Sequence, residues 1–207
     1  MLDRLAVLSC GTAIEDRRER ERAARRRLII TTARTLAEAE GWDAVTTRRL
    51  STEIEYSQPV LYKHFTGMEQ IAAAVAIDGF GELAEVLGAA RSGAGTASDA
   101  LARIAHAYLD FARDNPAVYD AMFTRATTLR FAAQDTPPQL AAAFGELRQA
   151  VGLVADEQDA DTLTEVFWAA LHGQITLTRA GRLRPGYDSE RLQLLVSEFI
   201  SRRETTR

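Results

Sequence analysis

The sequence predicts an all-α fold, and three observations carry that prediction. Apolar residues recur at three- and four-residue spacing along most of the chain. No stretch alternates apolar and polar residues as a strand would, and no internal repeat is present. The breaks between periodic segments fall at Gly, Pro and Asn-Pro punctuation. About nine helices follow, organised as an N-terminal three-helix unit joined by a long helix to a larger helical part.

Composition bounds the possibilities. The 207 residues suit one domain or two small ones, and 46% hydrophobic with 26% charged residues is an ordinary globular balance. Cys10 is the one cysteine, so no intramolecular disulfide forms and a reducing, cytoplasmic interior is expected. No apolar run approaches the ~18 residues of a membrane span. The opening MLDRLAVLSCGTA resembles a short secretion signal, but its apolar run Leu5–Cys10 is too short and follows Asp3. Residues 1–22 are therefore expected to be a loose N-terminal extension. The net charge of −4 is unevenly spread: residues 1–66 hold 12 basic and 10 acidic residues, and the remainder holds 13 and 19. Nucleic-acid affinity would have to come from a local patch rather than the whole chain.

Glu15–Arg27, EDRRERERAARRR, carries seven arginines against four acids and reads as a solvated arm leading into the first helix. That arm either follows a DNA backbone or is a bland solvated face. Ile29, Ile30, Ala33, Leu36 and Ala37 mark the inner stripe of the first helix, and Gly41 stops it. Trp42 and Val45 cover the turn. Thr46 or Thr47 caps a second helix that buries Leu50 and Ile54. Glu55-Tyr56-Ser57 separates it from a third helix, whose start is set by Pro59, because proline is tolerated only in a first helical turn. Ser57 is the expected cap, and Leu61 and Phe65 face inward. The outward faces then carry Gln58, Tyr62, Lys63 and Pro59, a set able to read the edge and backbone of DNA. Two short helices joined by a tight turn form a helix-turn-helix unit. Thr66-Gly67-Met68-Glu69 fits a capping box opening a long fourth helix to about Ala90. Further helices are expected at 98–114, 116–126, 138–155, 159–180 and 188–203.

The run TTRRLSTEIEYSQPVLYKHF, residues 46–65, resembles the helix-turn-helix of the TetR family of transcriptional regulators. Gly41-Trp42, the Leu-Tyr-x-His-Phe run and Glu69 on the fourth helix extend the likeness over about residues 23–80. Its Thr-Thr-Arg and Gln-Pro-x-Leu-Tyr elements look most like the tetracycline-repressor branch. Trp168-x-x-x-His172-Gly173 resembles the Trp-His-Gly signature of one type of TetR ligand-binding domain. The resemblance implies a flexible extension over 1–22, a DNA-binding domain over 23–82 and a ligand-binding and dimerisation domain over 83–207. It implies that Arg48 reaches a guanine, Gln58 pairs with adenine, and Pro59 and Val60 touch a thymine methyl. It further implies that Thr47, Tyr62, Lys63 and His64 hold phosphates. Two positions depart from the family pattern: Glu55 stands where glycine is common, and Met68 stands where a phosphate-binding lysine is frequent.

By the same resemblance the partners are a double-stranded operator, a small-molecule effector and a second copy of the chain, with no membrane and no cofactor. The expected function is a ligand-released homodimeric repressor; an activator of the same fold and a helical interaction adapter are the alternatives. Tyr108, Phe111, Phe123, Phe144, Trp168 and His172 are the candidate pocket residues, and the aromatics between Tyr108 and Phe144, which include Tyr119 and Phe131, suggest a partly apolar effector. Trp168 and His172 lie one turn apart, and Gly173 would let another helix approach. Leu163, Val166, Phe167, Ala170 and Leu171, with Leu192, Leu195, Val196 and Phe199, form apolar stripes that either pack internally or build a four-helix dimer interface. An enzyme is not expected: His64, His106 and His172 sit in unrelated segments, and no metal-ligand spacing, nucleophile elbow or phosphate loop appears.

Overall fold

A computed structural model describes the backbone of residues 2–125, 129–130, 136–155 and 159–205, and side chains between Ile14 and Ser201 within those ranges. The side chain of Cys10, the whole of Phe131 and part of the expected 156–161 loop lie outside the described residues. Among the described residues all regular structure is helical. The helices are α1 (Leu2–Glu40), α2 (Thr47–Glu53), α3 (Gln58–Tyr62), α4 (Met68–Ser92), α5 (Ala97–Asp114), α6 (Pro116–Asp120), α7 (Pro138–Gly152), α8 (Ala160–Arg179) and α9 (Asp188–Thr205). The chain forms two compact units, Met1–Val75 and Ala76–Arg207, so the division falls within α4, short of the expected 82/83 boundary.

In the first unit, α1 is helical from Leu2 and runs through the segment 1–22, for which a loose extension was expected. The arm is rich in Ala, Arg and Glu, strong helix formers. Glu21 also bridges both Arg17 and Arg25, four residues to either side, at 3.8 Å. Further along, Ile29, Ile30, Ala33, Leu36 and Ala37 are buried as expected. Gly41 at φ 82° ends α1, its N–H donating to the Ala37 carbonyl at 2.9 Å. A 3₁₀ turn, Trp42–Ala44, then tucks Trp42 into the core, with Val45 buried behind it. Thr46 is the α2 cap: its hydroxyl accepts the Arg49 N–H at 3.1 Å.

Leu50, Ile54, Leu61 and Phe65 bury the inner faces of the helix-turn-helix. Ser57 holds the cap position of α3 but makes no side-chain capping bond, and Pro59 sits in the first turn. At the head of α4, the Gln70 side chain, not Glu69, accepts the Thr66 N–H, at 2.9 Å. The reciprocal half of the expected box is thus displaced by one residue.

In the second unit, Thr96 caps α5 by accepting the Asp99 N–H at 3.1 Å, and Asp99 returns a bond to the Gly95 N–H at 3.0 Å. Leu101, Ile104 and Tyr108 on α5 are fully buried. The helix expected over 116–126 is α6 followed by a π turn, Ala121–Arg125. Arg91 on α4 pairs with Glu146 on α7 at 2.8 Å. The rings of Phe167 and Phe199 meet edge to face at 4.9 Å, joining α8 to α9. Gly79 permits the closest helix approach: a Cβ there would lie 2.4 Å from Val118 Cγ1.

Candidate nucleic-acid interface and effector core

Burial of Leu61 and Phe65 turns the rest of α3 outward. Gln58, Pro59 and Lys63 are exposed, Tyr62 keeps 52% of its surface, and Val60 and His64 are half-buried. On α2, Thr47 is half-buried and Arg48 exposed. The two adjacent arginines differ in a way the sequence left open. Arg49 is held by Glu53 at 2.8 Å and Glu40 at 3.2 Å. Arg48 makes no ion pair among the described residues, so its guanidinium is available.

Arg26, which no local motif singles out, fixes the end of this unit. Its guanidinium donates to the His64 carbonyl at 3.1 Å and lies 4.1 Å from the Phe65 ring centre. One side chain from α1 thereby satisfies a carbonyl just beyond α3 and packs on the adjoining core ring. His64 is held below its ordinary pKa by partial burial and by the fields of Arg22, Arg25, Arg26 and Lys63. In the free protein these causes favour its neutral form. Glu55, between the two helices, has φ 56°, the left-handed conformation that glycine adopts freely.

The second unit encloses a cavity of about 10 Å³, room for about one water molecule, lined by Phe80, Tyr108, Phe123, Leu140, Phe144 and Trp168 among others. Four of the six candidate pocket residues therefore face one space. Phe111, one turn along α5, is buried but does not line it, and neither does His172. His172 connects to it through a hydrogen-bond chain. The Trp168 indole N–H donates to the Tyr108 hydroxyl at 2.8 Å; the Tyr108 and Tyr119 hydroxyls are 3.1 Å apart; and Tyr119 Oη lies 2.7 Å from His172 Nδ1. Beyond it, His172 Nε2 is 3.4 Å from the Thr176 hydroxyl.

Burial raises both phenol pKa values well above their ordinary range, so each keeps a proton to donate. Burial, and then the Arg179 charge, lower the pKa of His172. A neutral His172 accepting at Nδ1 gives the chain one direction, Trp168 to Tyr108 to Tyr119 to His172, with every proton placed. Tyr119, in the sequence only one aromatic among several, is the centre of this network. It stacks on His172 with centroids 5.7 Å apart and carries the Arg179 guanidinium 4.9 Å above its ring. Among the described residues of this chain no helix packs closely on Gly173: a Cβ there would meet nothing within 4 Å.

A larger groove of about 340 Å³ lies elsewhere in the second unit, beside Leu109, Arg113, Gln174, Ile175, Arg179 and Asp188. None of the six candidate pocket residues lines it. Among the described residues no cluster of His, Cys, Asp or Glu has the arrangement of a metal site, and no helix is long and apolar enough to cross a membrane.

Comparison with known proteins agrees with both units. Residues 29–75 match the family model described as bacterial regulatory proteins, tetR family, and residues 101–199 match the tetracyclin repressor-like C-terminal domain. The chain is 32% identical over 161 residues to the HTH-type transcriptional regulator Rv0681 of Mycobacterium tuberculosis, covering 75% of this chain and 71% of that protein. A structure from Rhodococcus sp. RHA1 superposes with TM-score 0.68 at 24% identity, covering 85% of this chain and 93% of the other. RolR, solved in complex with resorcinol, superposes with TM-score 0.64 at 17% identity, covering 88% and 89%. This chain, with a helix-turn-helix DNA-binding domain and a helical C-terminal domain, belongs to the TetR family of transcriptional regulators and is not an enzyme.

Proposed function

We propose that this regulator is a homodimeric repressor that a small, partly apolar molecule releases from its operator. The observation that carries the DNA-reading half is the division of labour on α2 and α3. Arg49 is committed to Glu40 and Glu53, while Arg48, Gln58, Tyr62 and Lys63 stand exposed on one helix-turn-helix. Arg48 and Gln58 read base edges, Pro59 and Val60 meet a thymine methyl, and Thr47, Tyr62, Lys63 and His64 hold phosphates. Duplex DNA as partner places the protein in the cytoplasm.

Two features support the effector half. The cavity beside Tyr108 and Trp168 has apolar walls and a buried hydroxyl network able to orient one polar group. RolR, of the same fold, holds resorcinol, which has that mixture of ring and hydroxyl. At about 10 Å³ the cavity must open to admit such a molecule, and the π turn that carries Phe123 is the segment best placed to yield.

Dimerisation is supported by what α8 leaves uncovered. Leu163, Phe167 and Leu171 pack inside their own unit with Leu192, Val196 and Phe199, so much of the expected dimer stripe is internal core. A second stripe, Val166–Ala170–Gly173–Leu177, faces outward at i, i+4, i+7 and i+11 spacing. Val166 is 52% and Leu177 45% exposed, and Leu194 on α9 is 64% exposed. Small residues in its middle suit close helix packing against a second copy.

Selection of binding sites from a randomised duplex library, followed by light scattering of the free protein, tests this reading. A palindromic consensus and a dimer at micromolar concentration are expected. No enrichment, or a monomer, contradicts it.

A further inference from the structure

We infer that α1 carries a second DNA contact, a phosphate-binding stripe formed by Arg18 and Arg22 that extends the footprint of the helix-turn-helix along the flanking backbone. The inference rests on the DNA-binding reading and goes beyond its residues. Six of the seven arginines of the arm fall into two sets that the sequence alone does not separate. Arg17 and Arg25 share Glu21 at 3.8 Å each, and Arg20 is turned back onto the Asp16 carbonyl at 3.2 Å. On that side of α1 part of the charge is offset within the helix and the side chains are engaged locally.

Arg18, Arg22 and Arg26 follow one another at i, i+4 and i+8, on a common face. Arg26 is anchored on His64 and Phe65, which fixes the lower end of this face against the end of the DNA-reading helix. Arg18 and Arg22 are exposed and form no ion pair among the described residues. Arg18 stands eight residues before Arg26, a run of about 12 Å along the helix axis. Arg22, Arg26 and Lys63 thus concentrate positive charge around His64, and Arg18 carries it outward, in a chain whose net charge is −4. A polyanion presenting phosphates at regular spacing is the partner that fits such a row. The contact adds affinity and carries no base preference.

Each phosphate neutralised steepens the dependence of log K on log salt by about 0.9. Binding of a 30-base-pair random-sequence duplex, measured by fluorescence anisotropy across salt concentrations, therefore reads the stripe directly. Arg18→Gln with Arg22→Gln is expected to reduce the slope by about two and to weaken binding to all sequences alike. Arg17→Gln, on the self-paired side, is the control for removal of one charge and should leave the slope within a few tenths. Glutamine keeps helix propensity, and circular dichroism confirms that the variants fold. An unchanged slope in the double variant, with Lys63→Ala still lowering it, overturns the stripe and leaves the helix-turn-helix reading intact. Insensitivity of the slope to Lys63→Ala as well overturns both. An Arg17→Gln effect per charge equal to that of the double variant shows general attraction and also overturns the stripe.

Discussion

The Trp168 indole N–H donates to the Tyr108 hydroxyl at 2.8 Å, the first link of a hydrogen-bond chain through the interior of the second unit. An indole only donates, so Tyr108 accepts from it; with a neutral His172 accepting at Nδ1, Tyr119 donates to His172 and Tyr108 passes its own proton to Tyr119. The Trp-His pair visible in the sequence is the two ends of one directed chain, with two tyrosines from other helices between them.

Removing the middle of that chain strands its ends. Tyr108→Phe leaves the Trp168 N–H without this acceptor and deprives Tyr119 of its neighbour, in a place where Tyr108 is 1% exposed. Loss of about 1–3 kcal/mol is expected from chemical denaturation. A cost near zero would show that the network does not order the core.

The same chain makes stability depend on pH. His172 has its pKa lowered in the folded protein, by burial first and by Arg179 second, from an ordinary 6.5. Groups facing it are Tyr119 from α6 and Thr176 and Arg179 from α8. As pH falls below about 6.5, the unfolded chain binds this proton before the folded one does. The His172 contribution is therefore full above that value, declines through the acid interval below it, and levels off once the folded imidazole also protonates. His172→Gln keeps an acceptor for Tyr119 without a titrating group. Thermal denaturation between pH 7.5 and 5 should show a shallower acid decline for the variant than for the parent. Parallel curves would contradict the assignment.

Gly79 tests the packing of α4. Its missing side chain is filled by Val118, whose Cγ1 would lie 2.4 Å from a new Cβ, and Val118 is itself wholly buried and stiff at χ1. Gly79→Ala is expected to destabilise by about 1–3 kcal/mol, although alanine is the better helix former. A gain in stability would mean that α4 and α6 separate at no cost.

The opposite result is expected at Glu55. At φ 56° a side chain is strained by roughly 1–2 kcal/mol, part of which glycine recovers after its own entropy cost. Glu55→Gly should raise stability by about 0.5–1 kcal/mol in a denaturant titration. A loss would show that the Glu55 side chain contributes something larger than the strain.

How far the sequence spoke depended on whether a signal was local. Pro59, Thr46, Gly41 and the i, i+4 pair Leu61 and Phe65 define the helix-turn-helix from neighbours in the chain, and each is found as expected. The positive φ at Glu55 falls where the family resemblance marks a common glycine, so the turn keeps its shape without that residue. Pairings across the chain left no such trace. Arg26 meets His64 across 38 residues, and Trp168 meets Tyr108 across 60. Apolar periodicity on α8 showed two faces worth burying but not which one the chain itself covers. Leu163, Phe167 and Leu171 turn inward, leaving Val166 and Leu177 outside. Along the arm, Glu21 between Arg17 and Arg25 favours helix, a pairing that a count of charges does not reveal.

In the proposed function Gln58 reads a base while Lys63, five residues along, meets only the backbone. The direct measurement is the affinity of Gln58→Ala and Lys63→Ala for the selected operator and for a panel of its single-base variants. Gln58→Ala is expected to lose about 1–3 kcal/mol on the operator and to become indifferent to the base at one position. Lys63→Ala should weaken every duplex alike and lower the salt slope by about one. Uniform loss across the whole panel for Gln58→Ala would contradict the account.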